Sequence, residues 1–133
     1  MELGPLQKEW VKSLREHPER QISTILGEKY SDGSYKACCL GELHICNSRM
    51  NGDLLKYCNN EMRDGDTDYL EDSWDKYGLI DSKGSFANPQ FLEKVNHGAL
   101  YHSLAEANDD GVDWLTIANF IESNPEEVFT KSV

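Results

Sequence analysis

The chain has 133 residues, and its 13 Lys and Arg side chains stand against 24 Asp and Glu side chains, for a formal net charge of −11. This length fits one domain, and an acidic surface repels phosphate backbones and anionic lipids. The longest apolar run is far shorter than the ~20 residues that span a bilayer, and no basic flank followed by an apolar stretch marks the N-terminus as an export signal. We therefore expect a single compact domain over 1–133, cytoplasmic, with neither direct nucleic-acid binding nor membrane binding.

The first third of the chain predicts a helix, a small hairpin and a second helix. Pro5 opens a helix over 5–16 whose apolar stripe consists of Leu6, Trp10, Val11 and Leu14. Residues 21–26 are rich in β-branched side chains and lead into the turn residues 31–34, which predicts a β-hairpin. The second helix is expected over 37–46. Gly41 inside it costs about 1 kcal/mol relative to Ala, so we expect another backbone to approach closely at this position.

The rest of the chain predicts mainly helices. Asn-Gly and Asp-Gly turns predict an irregular insertion over 47–69. Helical patterns follow at 70–77, at 88–95 after Asn88-Pro89, at 100–107, and in a last helix with Asp113 as its N-cap. Residues 125–133 are expected to form a loosely ordered tail. The predicted fold class is therefore mostly α with a small β-hairpin (α+β).

The four cysteines do not follow the spacing of a known metal site. Cys38 and Cys39 are adjacent, and Cys46 and Cys58 follow at gaps that do not form paired CxxC motifs. We interpret them as small buried thiols on a core helix, with a distorted Cys/His site that includes His44 as the alternative. No metal and no cofactor is predicted.

The densest acidic stretch lies at 64–75. Asp64, Asp66, Asp68 and Asp75 fall at positions 1, 3, 5 and 12 of a calcium loop, but Tyr69 stands where that loop needs glycine. A solvated acidic loop is a second interpretation, and a contact surface for a basic partner is a third. Trp74 is either a core residue or an apolar anchor of that surface. The predicted partner-binding residues are Asp64, Asp66, Asp68, Glu71, Asp72, Trp74 and Asp75.

No catalytic signature is recognisable in the sequence. The histidines form no HExxH motif, no serine lies in a GxSxG elbow, and there is no glycine-rich phosphate loop. The segment 104–118 has the pattern of a helix-turn-helix, but its second helix carries no basic residue for phosphate contacts. We expect a protein that is neither an enzyme nor a DNA reader.

Four sequence blocks resemble a family of small uncharacterised proteins found widely in tailed phages and prophages. They are residues 8–15 (KEWVKSLR), 35–43 (YKACCLGEL), 74–86 (a Trp-containing segment ending in GL and a later GSF) and 107–122 (ANDDGVDWLTIANFIE). The blocks follow the family's order, although Lys36-Ala37 interrupts its Tyr-Cys-Cys motif and Thr116 replaces the Glu of its capping box. The resemblance implies a fold and a phage or prophage origin, within a bacterial host cell, and it assigns no catalytic residue.

Three functional hypotheses follow from these observations. The leading one is a non-enzymatic protein that antagonises a host defence system, most concretely an acidic anti-CRISPR-like inhibitor of a nucleic-acid-handling host protein with a basic surface. The first alternative is a sponge that sequesters a nucleotide immune signal, for which phosphate-binding and aromatic side chains are needed. The residues predicted for that site are Trp10, Arg15, Arg20, Tyr35 and Lys36. The second alternative is a phage housekeeping or regulatory protein, and the sequence is compatible with a homodimer.

Overall fold

The computed structural model describes all residues, 1–133, as one domain of helices and sheets. The helices are α1 (Pro5–Glu16), α2 (Cys39–Asn51), α3 (Leu104–Asp109), α4 (Trp114–Ser123) and α5 (Pro125–Val128). The strands are β1 (Gly27–Lys29), β2 (Tyr35–Ala37), β3 (Lys56–Cys58), β4 (Glu61–Arg63), β5 (Ser85–Lys94) and β6 (His97–Ser103). They form a four-stranded sheet in the order β2-β1-β4-β3 and a two-stranded sheet of β5 and β6, with every pairing antiparallel. The prediction of a mostly helical fold is therefore wrong.

The core lies where α1 packs against α2 and α4. Trp10 on α1 is fully buried, and its indole N–H donates to the carbonyl of Cys39 over 2.8 Å. Burying the indole therefore leaves no unpaired donor. Leu14, Leu43 and Ile117 are also fully buried, so the apolar stripes predicted for these helices do face inward. None of the five helices combines the length and the apolar character that crossing a membrane requires.

Gly41 lies where α2 meets the backbone that precedes β1, as the sequence predicted. A β-carbon at this position would overlap the carbonyl oxygen of Leu26 and would lie only 2.8 Å from its carbonyl carbon. That same oxygen accepts a hydrogen bond from the amide of Cys38 over 3.1 Å. Because Gly41 has no side chain, α2 and the segment that leads into β1 can approach closely, and the Cys38 amide reaches the Leu26 carbonyl at the same point.

The predicted helix at 88–95 is wrong, because this segment lies almost entirely in β5, and the helix predicted at 100–107 is wrong in its first half, which belongs to β6, while 104–107 is helical in α3. Phe91 pairs with Leu100 and Leu92 pairs with Ala99 in the antiparallel register. Leu92 and Tyr101 are buried while Phe91 and Leu100 are exposed, which is the period-2 alternation of a strand. Cross-strand pairing overrides the helical spacing of the apolar residues.

Other segments also differ from their predictions. The predicted strand at 21–26 is irregular, and the hairpin lies just after it, with β1 and β2 around the turn 30–34. Residues 70–78, expected to be helical, form successive turns. The segment 47–69 contains the end of α2 and the β3–β4 hairpin, and 125–133 contains α5 and the buried Phe129, which bridges to Leu79. Backbone hydrogen bonds tie two of these stretches to segments distant in sequence, from Ile22 to Ala37 and from Thr130 to Gly78, and a local sequence pattern does not show such pairing.

Candidate functional site

The acidic segment 64–75 follows β4, and part of its backbone donates hydrogen bonds to a buried carboxylate. Asp64 is only 6% exposed, and its carboxylate accepts hydrogen bonds from the amides of Asp72 (3.2 Å) and Ser73 (2.9 Å) and from the Ser73 hydroxyl (3.0 Å). At the next turn, the carboxylate of Glu71 accepts from the amide of Asp66 over 2.8 Å. Asp64 therefore shapes the loop and is not free to contact a partner.

The other carboxylates of this segment differ in their exposure and in their cationic partners. Asp66, Glu71, Asp72 and Asp75 are exposed. The side chain of Asp75 is 77% exposed and has one cation near it, Lys131, at 3.9 Å. Asp68 is half-buried and accepts from Arg63 over 2.9 Å, so it already has a cationic partner within the chain. Three aspartates, Asp66, Asp72 and Asp75, are the carboxylates most available to a partner.

The geometry of this loop argues against two of the predictions, Trp74 as an apolar anchor and a calcium site. The Trp74 side chain is half-buried and packs against the core, so it does not protrude from the acidic segment as an anchor. The oxygens of Asp64 point to loop amides and that of Asp68 to Arg63, and no group of three His, Cys, Asp or Glu side chains converges as metal ligands would. The predicted set is thus reduced to an exposed acidic edge on a loop whose amides at Asp72 and Ser73 are hydrogen-bonded to the buried Asp64.

The residues predicted for a nucleotide site do not converge on one pocket. Trp10 is buried in the core, and Lys36 is exposed on β2. Arg15 lies at the α1–α4 contact, where it donates to Glu122 and Asn119 over 2.9 Å each. Arg20 alone meets Tyr35: its guanidinium donates to the tyrosine hydroxyl over 2.6 Å and lies 4.6 Å from the ring centre.

Arg20 and Tyr35 belong to a buried polar cluster that the sequence did not predict, centred on Glu42. The Glu42 side chain is fully buried on α2. Its carboxylate accepts from the Ser13 hydroxyl over 2.5 Å and from the Tyr35 hydroxyl over 3.1 Å, and Arg20 lies 3.7 Å away. Burial and the Glu42 charge raise the pKa of the Tyr35 hydroxyl, so Tyr35 stays a hydrogen-bond donor. In the sequence, Glu42 has the pattern of an ordinary acidic residue in a first helical turn, and no signal distinguished it.

A second buried pair lies between α2 and the turns at 70–78. His44 is 7% exposed, and its Nδ1 lies 2.6 Å from the Tyr77 hydroxyl. Burial lowers the pKa of His44 and raises that of Tyr77, so both rings are neutral near pH 7. The pair joins two elements through one short hydrogen bond, as structural polar networks in cores commonly do.

The cysteines are unpaired, and three of the four are buried as predicted. Burial raises the pKa of Cys38 to about 12 and that of Cys46 to about 11, which keeps these thiols protonated and weakly reactive. The Cys38 sulfur also accepts from the amide of Gly41 and caps the start of α2. Cys58 differs from the prediction because it is exposed on β3.

No protein-family model, curated protein or solved structure matches this chain.

Proposed function

We propose that the protein acts by binding, without catalysis, to a basic surface of a partner that handles nucleic acid. The observation that supports this proposal is the exposed edge of carboxylates at Asp66, Glu71, Asp72 and Asp75. In the setting that the phage resemblance implies, the partner is a host defence protein and the action is an anti-CRISPR-like inhibition. When these carboxylates pair with the cationic side chains of the partner's phosphate-binding surface, nucleic acid is excluded, because its phosphates need the same side chains.

The hydrogen bonds within the loop support this proposal. A binding loop that is already ordered loses less conformational entropy when it docks. The three hydrogen bonds to Asp64 and the one to Glu71 fix the backbone on both sides of Asp66 and Asp72. The net charge of −11 adds long-range attraction to a basic partner and raises the association rate.

The nucleotide-sponge alternative has less support. Its arginines, Arg15 and Arg20, are already engaged by Glu122 and by the Tyr35–Glu42 pair. A phosphate would have to displace these partners, and the two guanidinium groups belong to separate contacts. No residue of this structure specifically favours the housekeeping or regulatory alternative.

The test is an affinity pull-down from bacterial extract with two matched triple variants. In D66N/D72N/D75N the available carboxylates become amides of nearly equal shape, and Asp64 and Glu71, which order the loop, are kept. In E2Q/E16Q/E19Q three exposed carboxylates elsewhere are changed in the same way. Both variants therefore have the same formal net charge, −8 in place of −11.

The expected result is that the wild type and the Glu→Gln variant retain the same basic host protein in stoichiometric amount. The Asp→Asn variant should lose it. Retention by the wild type and by both variants would show that a different surface binds. A nucleotide released by heating the purified chain, with no protein retained, would overturn the proposal in favour of a sponge.

A further inference from the structure

The single Asn-Gly pair of the chain, Asn51-Gly52, lies at the exposed end of α2. Gly52 is the C-cap of this helix and adopts a left-handed backbone, with φ 73°. Nothing lies within 4 Å of the place where a β-carbon of Gly52 would stand. Because glycine has no β-carbon, its backbone nitrogen can approach the side-chain amide of the residue before it with little hindrance. The pair therefore has the composition and the exposure that a reaction between these two groups requires.

In the folded chain, both of these groups are hydrogen-bonded. The amide of Gly52 donates to the carbonyl of Ser48 over 2.9 Å. The side-chain nitrogen of Asn51 donates to the side-chain oxygen of Asn47 over 2.8 Å. Helix ends open locally far more often than the whole domain unfolds. When the last turn of α2 opens, both bonds break, and the Gly52 nitrogen can reach the Asn51 side chain.

We propose that Asn51 is a site of spontaneous deamidation, at a rate set by the opening of the last turn of α2. The backbone nitrogen of Gly52 attacks the side-chain carbonyl carbon of Asn51 and forms the new C–N bond of a cyclic imide. The bond from that carbon to the side-chain nitrogen breaks, and ammonia leaves with the proton that the Gly52 nitrogen has lost. Water then opens the imide at either carbonyl carbon, which gives aspartate or isoaspartate at position 51. Water is the only other reactant.

The contacts of Asn47 determine what the new carboxylate does to the fold. Asn47 is 3% exposed, and its side chain accepts from Asn51 and donates to Asp53 over 2.7 Å. A carboxylate at position 51 has no hydrogen to donate, so the Asn47 oxygen loses this donor. If the Asn47 amide turns round to donate to position 51, it loses Asp53 instead. Either way a buried side chain loses one of its hydrogen bonds.

The new negative charge also lies in an unfavourable place. The C-terminal end of a helix favours cations over anions. Since the side chains at positions 51 and 53 both contact Asn47, the new carboxylate lies close to that of Asp53, and like charges repel. Asp53 accepts from Lys76 over 3.1 Å, which joins the connection between α2 and β3 to the turns at 70–78. Deamidation therefore loosens this connection.

The test is incubation of the full wild-type chain at mildly alkaline pH, both folded and in guanidinium chloride, with peptide mass spectrometry at intervals. Asn51 should be converted in the folded chain about 30-fold more slowly than in the unfolded chain, because two hydrogen bonds must break first. Asn59 and Asn96 are internal controls, since both are exposed and each precedes a residue with a side chain. They should stay unmodified. Three results would each overturn the proposal: a folded chain without conversion at Asn51 long after the unfolded chain has reacted, equal rates in the two states, or faster conversion at Asn59 or Asn96.

A second measurement isolates the structural consequence. Asn51→Asp has the charge of the modified chain from the start, and Asn59→Asp is the matched control with the same net charge. Hydrogen exchange of the amides at 48–55 should be faster in Asn51→Asp than in the wild type, whereas Asn59→Asp should match the wild type. Equal exchange in all three proteins would overturn the role assigned to the contacts of Asn47.

Discussion

Replacing Gly41 by Ala tests whether the close contact between α2 and the Leu26 backbone governs this part of the fold. In a free helix, this change would stabilise by about 1 kcal/mol. Here the new methyl carbon would lie 2.8 Å from the Leu26 carbonyl carbon, closer still to its oxygen, and 3.1 Å from the β-carbon of Ala37. The neighbour is backbone and cannot rotate away, so α2 must shift outward.

The size of the effect follows from these contacts. Overpacking a rigid site costs about 1–3 kcal/mol, and stretching the bond from the Cys38 amide to the Leu26 carbonyl costs about 1 kcal/mol more. After the gain in helix propensity is subtracted, we expect Gly41→Ala to lower the free energy of unfolding by about 2 kcal/mol.

Urea denaturation followed by circular dichroism measures this change as a lower midpoint with an unchanged slope. The control is Gly33→Ala, where nothing lies within 4 Å and only the left-handed backbone, φ 88°, resists the new side chain. Its cost should be about 1 kcal/mol. If Gly41→Ala is as stable as the wild type or more stable, then helix propensity dominates and the close contact has been overestimated.

Three further predictions concern the polar contacts. Arg20→Met should lower the free energy of unfolding by about 2 kcal/mol in urea denaturation, because the buried Glu42 carboxylate loses its ion-pair partner; an unchanged midpoint would show that the hydroxyl donors suffice. Asp64→Asn should lower the free energy of unfolding by about 1–2 kcal/mol and speed hydrogen exchange of the amides across 64–75, because an amide accepts fewer and weaker hydrogen bonds than a carboxylate. Unchanged exchange would contradict the structural role of this carboxylate. The Tyr101 hydroxyl lowers the pKa of Asp110 below its ordinary 3.8, so the pair stabilises the fold above pH 3.8 and this contribution is lost as the pH falls further. In Tyr101→Phe, Tm should therefore fall less steeply as the pH decreases below 3.8. A pH dependence of Tm equal to that of the wild type would refute the link between Tyr101 and Asp110.

Elements with strong local signals could be predicted from the sequence. Pro5 and the apolar stripe gave α1 its observed bounds, and Asp113 caps α4 by accepting from the amide of Thr116 over 2.8 Å. Gly41 was informative because a glycine in a helix interior is costly unless packing requires it. Each of these signals arises within a few residues of the element it describes.

Features that depend on contacts distant in sequence could not be predicted. Asn88-Pro89 followed by Phe91 and Leu92 has the pattern of a helix start, and only pairing with Leu100 makes the segment a strand. The sequence holds one weak local sign of the hairpin, Asn96, a residue type that tolerates the left-handed backbone conformation it adopts at the turn, with φ 71°.

The acidic segment could be located from its composition, but the different roles of its carboxylates could not be predicted. Asp64 and Asp66 have the same pattern in the sequence, yet one is buried under three hydrogen bonds and the other is exposed. The partners of Asp64 include Ser73, nine residues away. Which carboxylate orders the loop and which faces solvent is decided by the path of the chain between them.

The measurement that tests the proposed function most directly is competition between this protein and nucleic acid for the partner retained in the pull-down. Binding is followed by calorimetry at rising salt, with and without a DNA or RNA duplex that the partner binds. If exposed carboxylates occupy a phosphate-binding surface, affinity should fall steeply with salt, and saturating nucleic acid should abolish it. An affinity that is indifferent to salt and unaffected by nucleic acid would contradict the account.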